Sequence, residues 1–179
     1  MRVVSVSAAA GHRFSKQVVP EIELVAGEGI AGDSHCGVTV KHRSRVAVDP
    51  NQPNLRQVHL VHVELFDDPE VAPFALRPGD IGENILTEGV ALLDLPRGTR
   101  LLIGETEIEI EITGLRNPCA QLDAFRPGLT RAMLGRDAEG GLVRKAGVMG
   151  IVGRGGVIRA GDAIAIRLPP LPHEKLDRV

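Results

Sequence analysis

Hydrophobic and polar positions alternate most cleanly from Thr106 to Thr113, where Ile108, Ile110 and Ile112 fall on one face and Glu107, Glu109 and Glu111 on the other. A period of two is that of a half-buried strand. Leu101, Leu102 and Ile103 precede it, and Gly104-Glu105 between the two runs is a turn signal, so the segment from Arg100 to Thr113 predicts a hairpin. The Ile residues should point inward and the three Glu toward solvent. An acidic stripe beside a core stripe reads as a solvated face rather than as an acid/base or metal site. Other short apolar runs predict strands at 3–8, 22–25, 57–61, 148–152, 157–159 and 163–166. Helix signals are fewer. His62–Phe66 opens one short candidate, and Pro127–Leu134 is another, with Gly135 as its stop. Leu168-Pro169-Pro170-Leu171-Pro172 can be neither a central strand nor a helix interior, so the tail should run extended over the surface. Pro78-Gly79-Asp80-Ile81 and Ala160-Gly161-Asp162-Ala163 look like similar turn-to-strand units, too little for a repeat.

Composition sharpens this to a mainly β fold. Gly and Pro together make up 33 of the 179 residues and punctuate the whole length. That favours a β-dominated barrel with a few short helices over a doubly wound α/β fold. The chain is 43% hydrophobic and 25% charged, close to an ordinary globular protein. No apolar run approaches the ~18–20 residues that span a bilayer. The N-terminus carries one positive charge and no long apolar core, so it reads as a first strand rather than a signal peptide. A net charge of −2 argues against a general nucleic-acid binder. With four Phe and no Trp or Tyr, the chain cannot build a base-stacking platform.

Two cysteines, Cys36 and Cys119, exclude a four-cysteine zinc site and lack paired spacing. Without a secretory signal the expectation is two free thiols in a reducing cytoplasm. Arg outnumbers Lys by 17 to 4, which suits oxyanion binding but equally reflects genome composition.

Four loops gather the reactive residues. In Gly29-Ile30-Ala31-Gly32-Asp33-Ser34-His35, two Gly allow a close backbone approach, while Asp33 and His35 supply polar groups. Lys41-His42-Arg43-Ser44-Arg45 is a basic run, either solvated or an anion site. Arg77-Pro78-Gly79-Asp80-Ile81-Gly82-Glu83-Asn84 brackets an acidic turn with glycines, and Asn84 offers both donor and acceptor. This spacing fits neither a P-loop nor a dinucleotide fingerprint. The fourth loop, Thr113-Gly114-Leu115-Arg116-Asn117-Pro118-Cys119, presents Cys119 from a stiff turn at a strand end. Arg116, three residues back, can stabilise a thiolate there. Cys119 is thus either a nucleophile or soft-metal ligand, or a small buried hydrophobe. A Cys–His protease is open by composition, but the sequence places no histidine beside Cys119.

Taken together, these loops resemble the MOSC domain, named for the C-terminal domain of molybdenum cofactor sulfurases. The resemblance runs through Gly29–His35, His42–Arg45, Leu55-Arg56-Gln57-Val58-His59-Leu60, Pro78–Ile85, Arg116-Asn117-Pro118-Cys119 and the closing Gly161-Asp162. It covers residues 1–168, read as a single MOSC domain of the free-standing bacterial type, with 169–179 as a Pro-rich extended tail. It implies a MOSC-type β-barrel and an association with a molybdopterin-type molybdenum cofactor. In the family, the cysteine matching Cys119 is taken as a metal ligand or as a carrier of persulfide sulfur. Relatives that act as oxotransferases reduce N-hydroxylated compounds, but the larger ones use an additional N-terminal barrel for which this chain has no length.

The resulting expectation is a molybdenum-dependent oxidoreductase, a two-electron reductase of N-hydroxylated bases or amidoxime-like compounds, with Cys119 as metal ligand. Its partners would be a small-molecule substrate and a separate electron-donor protein or sulfur donor, with no nucleic acid and no membrane. Cys119, Arg116 and His59 are the catalytic candidates. Asp33, His35, Arg43, Arg45, Arg56, Gly82, Glu83, Asn84 and Asn117 are the cofactor-binding candidates, with arginines for the phosphate and Asn84 and the Gly82 backbone for the pterin edge. The alternatives are a persulfide sulfur carrier using Cys119 and a non-catalytic cofactor-binding barrel. Cys36 is either an accidental thiol or a resolving partner for Cys119.

Overall fold

The computed structural model describes residues 1–11, 13–40 and 46–179. Thirteen strands are named here among those residues: β1 (Arg2–Ala8), β2 (Gln17–Val19), β3 (Glu21–Val25), β4 (Gly29–Ile30), β5 (Val58–His62), β6 (Ile85–Glu88), β7 (Arg100–Ile103), β8 (Ile108–Leu115), β9 (Leu134–Arg136), β10 (Leu142–Arg144), β11 (Val148–Arg154), β12 (Gly156–Arg159) and β13 (Ile164–Arg167). Two short helices join them, α1 (Ala120–Phe125) and α2 (Leu129–Ala132), with 3-10 turns at Val63–Asp67, Ala72–Phe74 and Leu92–Asp94. The fold is mainly β, as the Gly and Pro punctuation predicts.

Eight strands form one curled sheet in the order β13-β7-β8-β11-β5-β6-β1-β2. An antiparallel bridge between Arg2 and Ala163, with Val3 N–H donating to Asp162 O at 2.9 Å, ties the β13 side back to β1. The sheet therefore bends into a barrel-like wall, with β12-β3-β4 as a smaller sheet beside it. Its pairs are antiparallel except β5 with β6, which run parallel with Leu60 opposite Ile85.

That parallel pair is buried on both faces, as parallel strands usually are. Leu60 and Ile85 join the core enclosed by the curled sheet, with Val3, Val6, Leu101, Ile108, Ile110 and Ile112. Their neighbours Val61 and Leu86 point the other way, into a second core with Leu65, Ile81, Leu122, Leu129 and Met133 beneath the helices and 3-10 turns. The ends of β1, β5 and β6 thus lie between two apolar layers.

The predicted hairpin forms, with two differences. Residues 104–107 make a four-residue turn, so β8 starts at Ile108, and Glu107 sits in that turn at φ 49°. Glu109 and Glu111 lean on Arg100, at 3.5 and 3.4 Å, and the Glu109 side chain is only 14% exposed. The acidic face is outward but partly covered. The helix expected over Pro127–Leu134 is a single turn, and Gly135 lies in β9 rather than acting as the stop. His62–Phe66 becomes the 3-10 turn after β5. The similar phrases at 78–81 and 160–163 are one turn used twice: Asp80 accepts the Arg77 N–H at 2.9 Å, and Asp162 accepts the Arg159 N–H at 2.8 Å.

Candidate functional site

Asn84 joins the ends of three strands. Its backbone N–H donates to His59 O at 2.8 Å, and its backbone O accepts from Ser7 N at 2.8 Å. Its side-chain Oδ1 accepts the His59 N–H at 3.1 Å, while Nδ2 donates to Ser7 O and to Asp33 Oδ2, each at 3.2 Å. Asn84 is therefore spent inside the protein, tying β1, β5 and β6 to the Asp33 loop, rather than offered to a pterin edge.

Asp33 collects donors from four segments. Lys16 Nζ lies 2.7 Å from Oδ2, and the His35 N–H and Nδ1 lie 3.0 and 3.2 Å from Oδ1. The Ala9 N–H adds a 3.3 Å contact. Burial alone would raise the pKa of this carboxyl, but the His35 and Lys16 donors outweigh it and hold it well below the usual carboxylate range. Lys16 is buried as deeply, with its side chain 4% exposed. Burial lowers its pKa, against the pull of Asp33.

The glycine loop explains how Lys16 arrives there. Gly79 and Gly82 hold φ of 88° and 81°, and a Cβ would stand 2.3 Å from Lys16 O at the first and 2.5 Å from Phe14 O at the second. Only glycine allows both that conformation and that approach. The Lys16 N–H donates to Gly79 O at 2.8 Å, and Ser15 Oγ donates to Asp80 O at 2.7 Å. The loop thus clamps residues 14–16 against the strand ends.

Glu83, on the same loop, is 1% exposed. Its Oε1 accepts the Gly79 N–H, and its Oε2 has no hydrogen-bond partner among the described residues. Burial pushes the carboxyl up to about 7, against the donors from Gly79 and its own backbone and the charge of Arg116.

The Cys119 loop leaves β8 at Leu115. The Arg116 N–H donates to Gly147 O at 3.0 Å, and its guanidinium lies over the Phe14 ring, 5.8 Å from the centroid. Arg116 is buried, and its Nη1 has no partner among the described residues. Burial lowers its pKa, while Cys119 and Glu83 both act to raise it. Asn117 is exposed and accepts from Arg144 Nε at 3.1 Å. Cys119 is half-buried at the residue before α1, its Sγ 3.6 Å from Gln121 Oε1. It is therefore not a sealed core residue.

His59 fits its expected catalytic part poorly. It is 4% exposed, and Nε2 lies 2.8 Å from Ala146 O. Burial, then the charge of Arg116, push its pKa well below the ordinary value, leaving a neutral ring enclosed by protein. Arg56 is half-buried, and its backbone N–H donates to Asn54 Oδ1 at 3.1 Å. Arg43 and Arg45 lie outside the described residues.

The structure therefore brings Asp33, His35, His59, Gly82, Glu83, Asn84, Arg116 and Cys119 into one connected region. An open cleft of about 540 Å³ adjoins it, lined by Ala8, Ala9, Ala10, Gly11, Arg13, Ser15, Lys16 and Gln17. Cys119 is not among the described residues that line this cleft. It reaches the cluster through Arg116. Lys16 and Phe14 were not legible as site residues: Phe-Ser-Lys-Gln matches no motif, and only the clamp from Gly79 and Gly82 places them.

The MOSC domain model matches residues 51–165. The chain belongs to the MOSC domain family. The matched span includes Arg56, His59, Gly82–Asn84 and Arg116–Cys119, whereas Lys16, Asp33 and His35 precede it. Among solved structures, the chain is similar to the YuaD protein from Bacillus subtilis, with a TM-score of 0.76 at 22% identity over 94% of this chain and 96% of that one. It is also similar to YiiM from Escherichia coli, with a TM-score of 0.62 at 20% identity over 97% and 73% of the two chains. YiiM from Geobacillus stearothermophilus gives 0.61 at 17% identity over 97% and 76%. At these identities the likeness establishes a shared fold. No curated protein matches the chain. Among the described residues, no helix of this MOSC protein is long and apolar enough to cross a membrane.

Proposed function

We propose that this MOSC protein binds a molybdopterin-type molybdenum cofactor and reduces N-hydroxylated bases or amidoxime-like compounds by two electrons. The observation that carries the reading is Cys119, a half-buried thiol three residues from a buried guanidinium whose Nη1 has no partner among the described residues, inside the MOSC match. The residues present fit the group. A thiolate is the soft ligand that molybdenum accepts beside sulfur from a dithiolene. Arg116, with Arg13 at the neighbouring cleft, supplies cationic donors for an anionic cofactor.

Cys119 would hold the metal, and Arg116 and Arg13 would hold the anionic part. Bound there, the molybdenum centre supplies the two-electron couple. The net reaction is R–NHOH + 2 e⁻ + 2 H⁺ → R–NH₂ + H₂O, so the site must deliver protons as well as electrons. Among the described buried groups, Glu83 is the one poised to hold a proton near neutrality. His59 stays neutral and positions Asn84 rather than moving protons. The electrons would come from a separate donor protein. Two cysteines outside any disulfide suit a reducing cytoplasm.

The test is turnover of an N-hydroxylated base under a chemical reductant by protein made in a cofactor-producing host. Reduction that depends on Cys119 supports the proposal. Cyanide-labile sulfur on Cys119 of a cofactor-free protein, without turnover, would replace it with the persulfide-carrier reading. Cofactor binding with neither would leave a binding barrel.

A further inference from the structure

The last residues of the chain do more than cover the surface. β7 pairs with β8 only as far as Arg100 opposite Glu111, and Gly98 and Thr99 extend the contact to Ile112. On its other edge β8 stays paired with β11 through Leu115 opposite Val148. The edge of Gly114 and Leu115 that β7 leaves open is taken by the tail. The Leu115 N–H donates to Asp177 O at 2.8 Å, and the Val179 N–H donates to Leu115 O at 3.2 Å, so Arg178 lies in a parallel bridge with Leu115.

Gly114 is what lets the tail in. A Cβ there would stand 2.5 Å from Asp177 O, 2.9 Å from Val179 Cβ and 3.1 Å from Val179 Cγ1, so its three nearest neighbours all belong to the tail. Upstream, Arg97 N–H donates to Glu174 O at 2.9 Å, and Leu176 packs on the barrel core. The contact with Leu115 sits one residue before Arg116, where the chain leaves the sheet to form the turn that carries Cys119.

We infer that Asp177–Val179 is a strap that orders the Arg116–Cys119 turn, so that docking of this short strand sets how open the Cys119 thiol is. The turn is held on one side by Gly147 and on the other by the strap, before α1 takes over at Ala120. Releasing one side loosens the turn locally while the two cores remain intact. The inference needs only the half-buried thiol, and it stands or falls separately from the cofactor reading.

The experiment compares the full chain, a deletion of residues 177–179, Gly114→Ala, and the two combined. The readouts are iodoacetamide alkylation of Cys119 and of Cys36, followed by peptide mass spectrometry, and amide exchange at Leu115. The deletion and Gly114→Ala should each speed Cys119 alkylation at least ~fivefold and Leu115 exchange with it, with Cys36 changed less than about twofold. Because the three nearest neighbours of the alanine methyl all belong to the tail, the combined variant should match the deletion alone. Unchanged Cys119 alkylation in both single variants would overturn the strap. So would equal acceleration of both cysteines, which signals global loosening, or full additivity in the combined variant.

Discussion

Replacing Glu83 with Gln should stabilise the protein at alkaline pH and change it little in mild acid. Glu83 is 1% exposed, with one carboxyl oxygen bonded to the Gly79 N–H and the other without a partner among the described residues. Burial moves its pKa from the ordinary 4.5 to about 7. Below the unfolded value, both folded and unfolded chains hold the proton, and the group contributes its full stability. Between the two values the unfolded chain loses the proton while the folded chain keeps it, so stability falls by about 1.4 kcal/mol per pH unit. Above the folded value both are ionised and the loss is complete. The shift from 4.5 to about 7 therefore corresponds to about 3 kcal/mol.

A glutamine cannot ionise, and its amide keeps the acceptor facing Gly79. His59 titrates with the opposite sign: its folded pKa is depressed, so it costs stability as pH falls below the ordinary value of 6.5. That contribution is common to both proteins and cancels in their difference. Urea unfolding is best followed by far-UV circular dichroism, because the chain has no Trp. The gap between E83Q and the parent should widen by about 2.5 kcal/mol from about pH 5 to about pH 8.5, the remainder of the shift falling below pH 5. A gap that stays constant over that range would show that Glu83 is ionised in the fold throughout, and the reasoning would fail.

Other outcomes follow from the same geometry. Asp33→Asn removes the partner of a buried lysine and should cost about 3–5 kcal/mol near neutrality in urea unfolding. Because the Asp33 pKa is depressed, its stabilisation is present above the ordinary 3.8 and is lost as pH falls, so the penalty should shrink in acid. Gly79→Ala places a Cβ 2.3 Å from Lys16 O at a positive φ, and should destabilise by about 2–4 kcal/mol in the same assay. On the proposed reaction, Cys119→Ser should cut reductant-driven turnover by well over tenfold, at least about 1.4 kcal/mol in the barrier. Arg116→Ala should cost less, because it weakens anion binding without removing the ligand. A Cys119→Ser protein with parental turnover would exclude the ligand role.

The barrel was legible because its signals are local. Ile108, Ile110 and Ile112 alternate in sequence, and they are 1%, 0% and 0% exposed in the fold. Turns written in Gly-Asp were legible too, since Asp80 and Asp162 each cap their own turn. The helices were less so. α1 follows a Pro-Cys turn with no cap motif, and α2 owes its start to Gly128 at φ 90°, which a sequence pattern does not announce. In the candidate site, motif residues were visible but their roles were not. Asn84 looked like a ligand reader and is a strand tie, and His59 looked like a proton donor and is an enclosed neutral ring. Both outcomes depend on β5, β6 and β1 ending side by side, a long-range pairing absent from any short window. Lys16 was invisible for the same reason, being carried to Asp33 by the backbone of Gly79.

The most direct test of the central claim is the molybdenum and pterin content per chain of protein purified from a cofactor-producing host, measured for the parent and for Cys119→Ser. The account predicts about one molybdenum and one pterin per parent chain, and a marked loss of metal when the soft sulfur ligand is replaced by a hydroxyl. A parent protein that emerges from such a host with neither molybdenum nor pterin, or a Cys119→Ser protein that retains the full parental content, would contradict it.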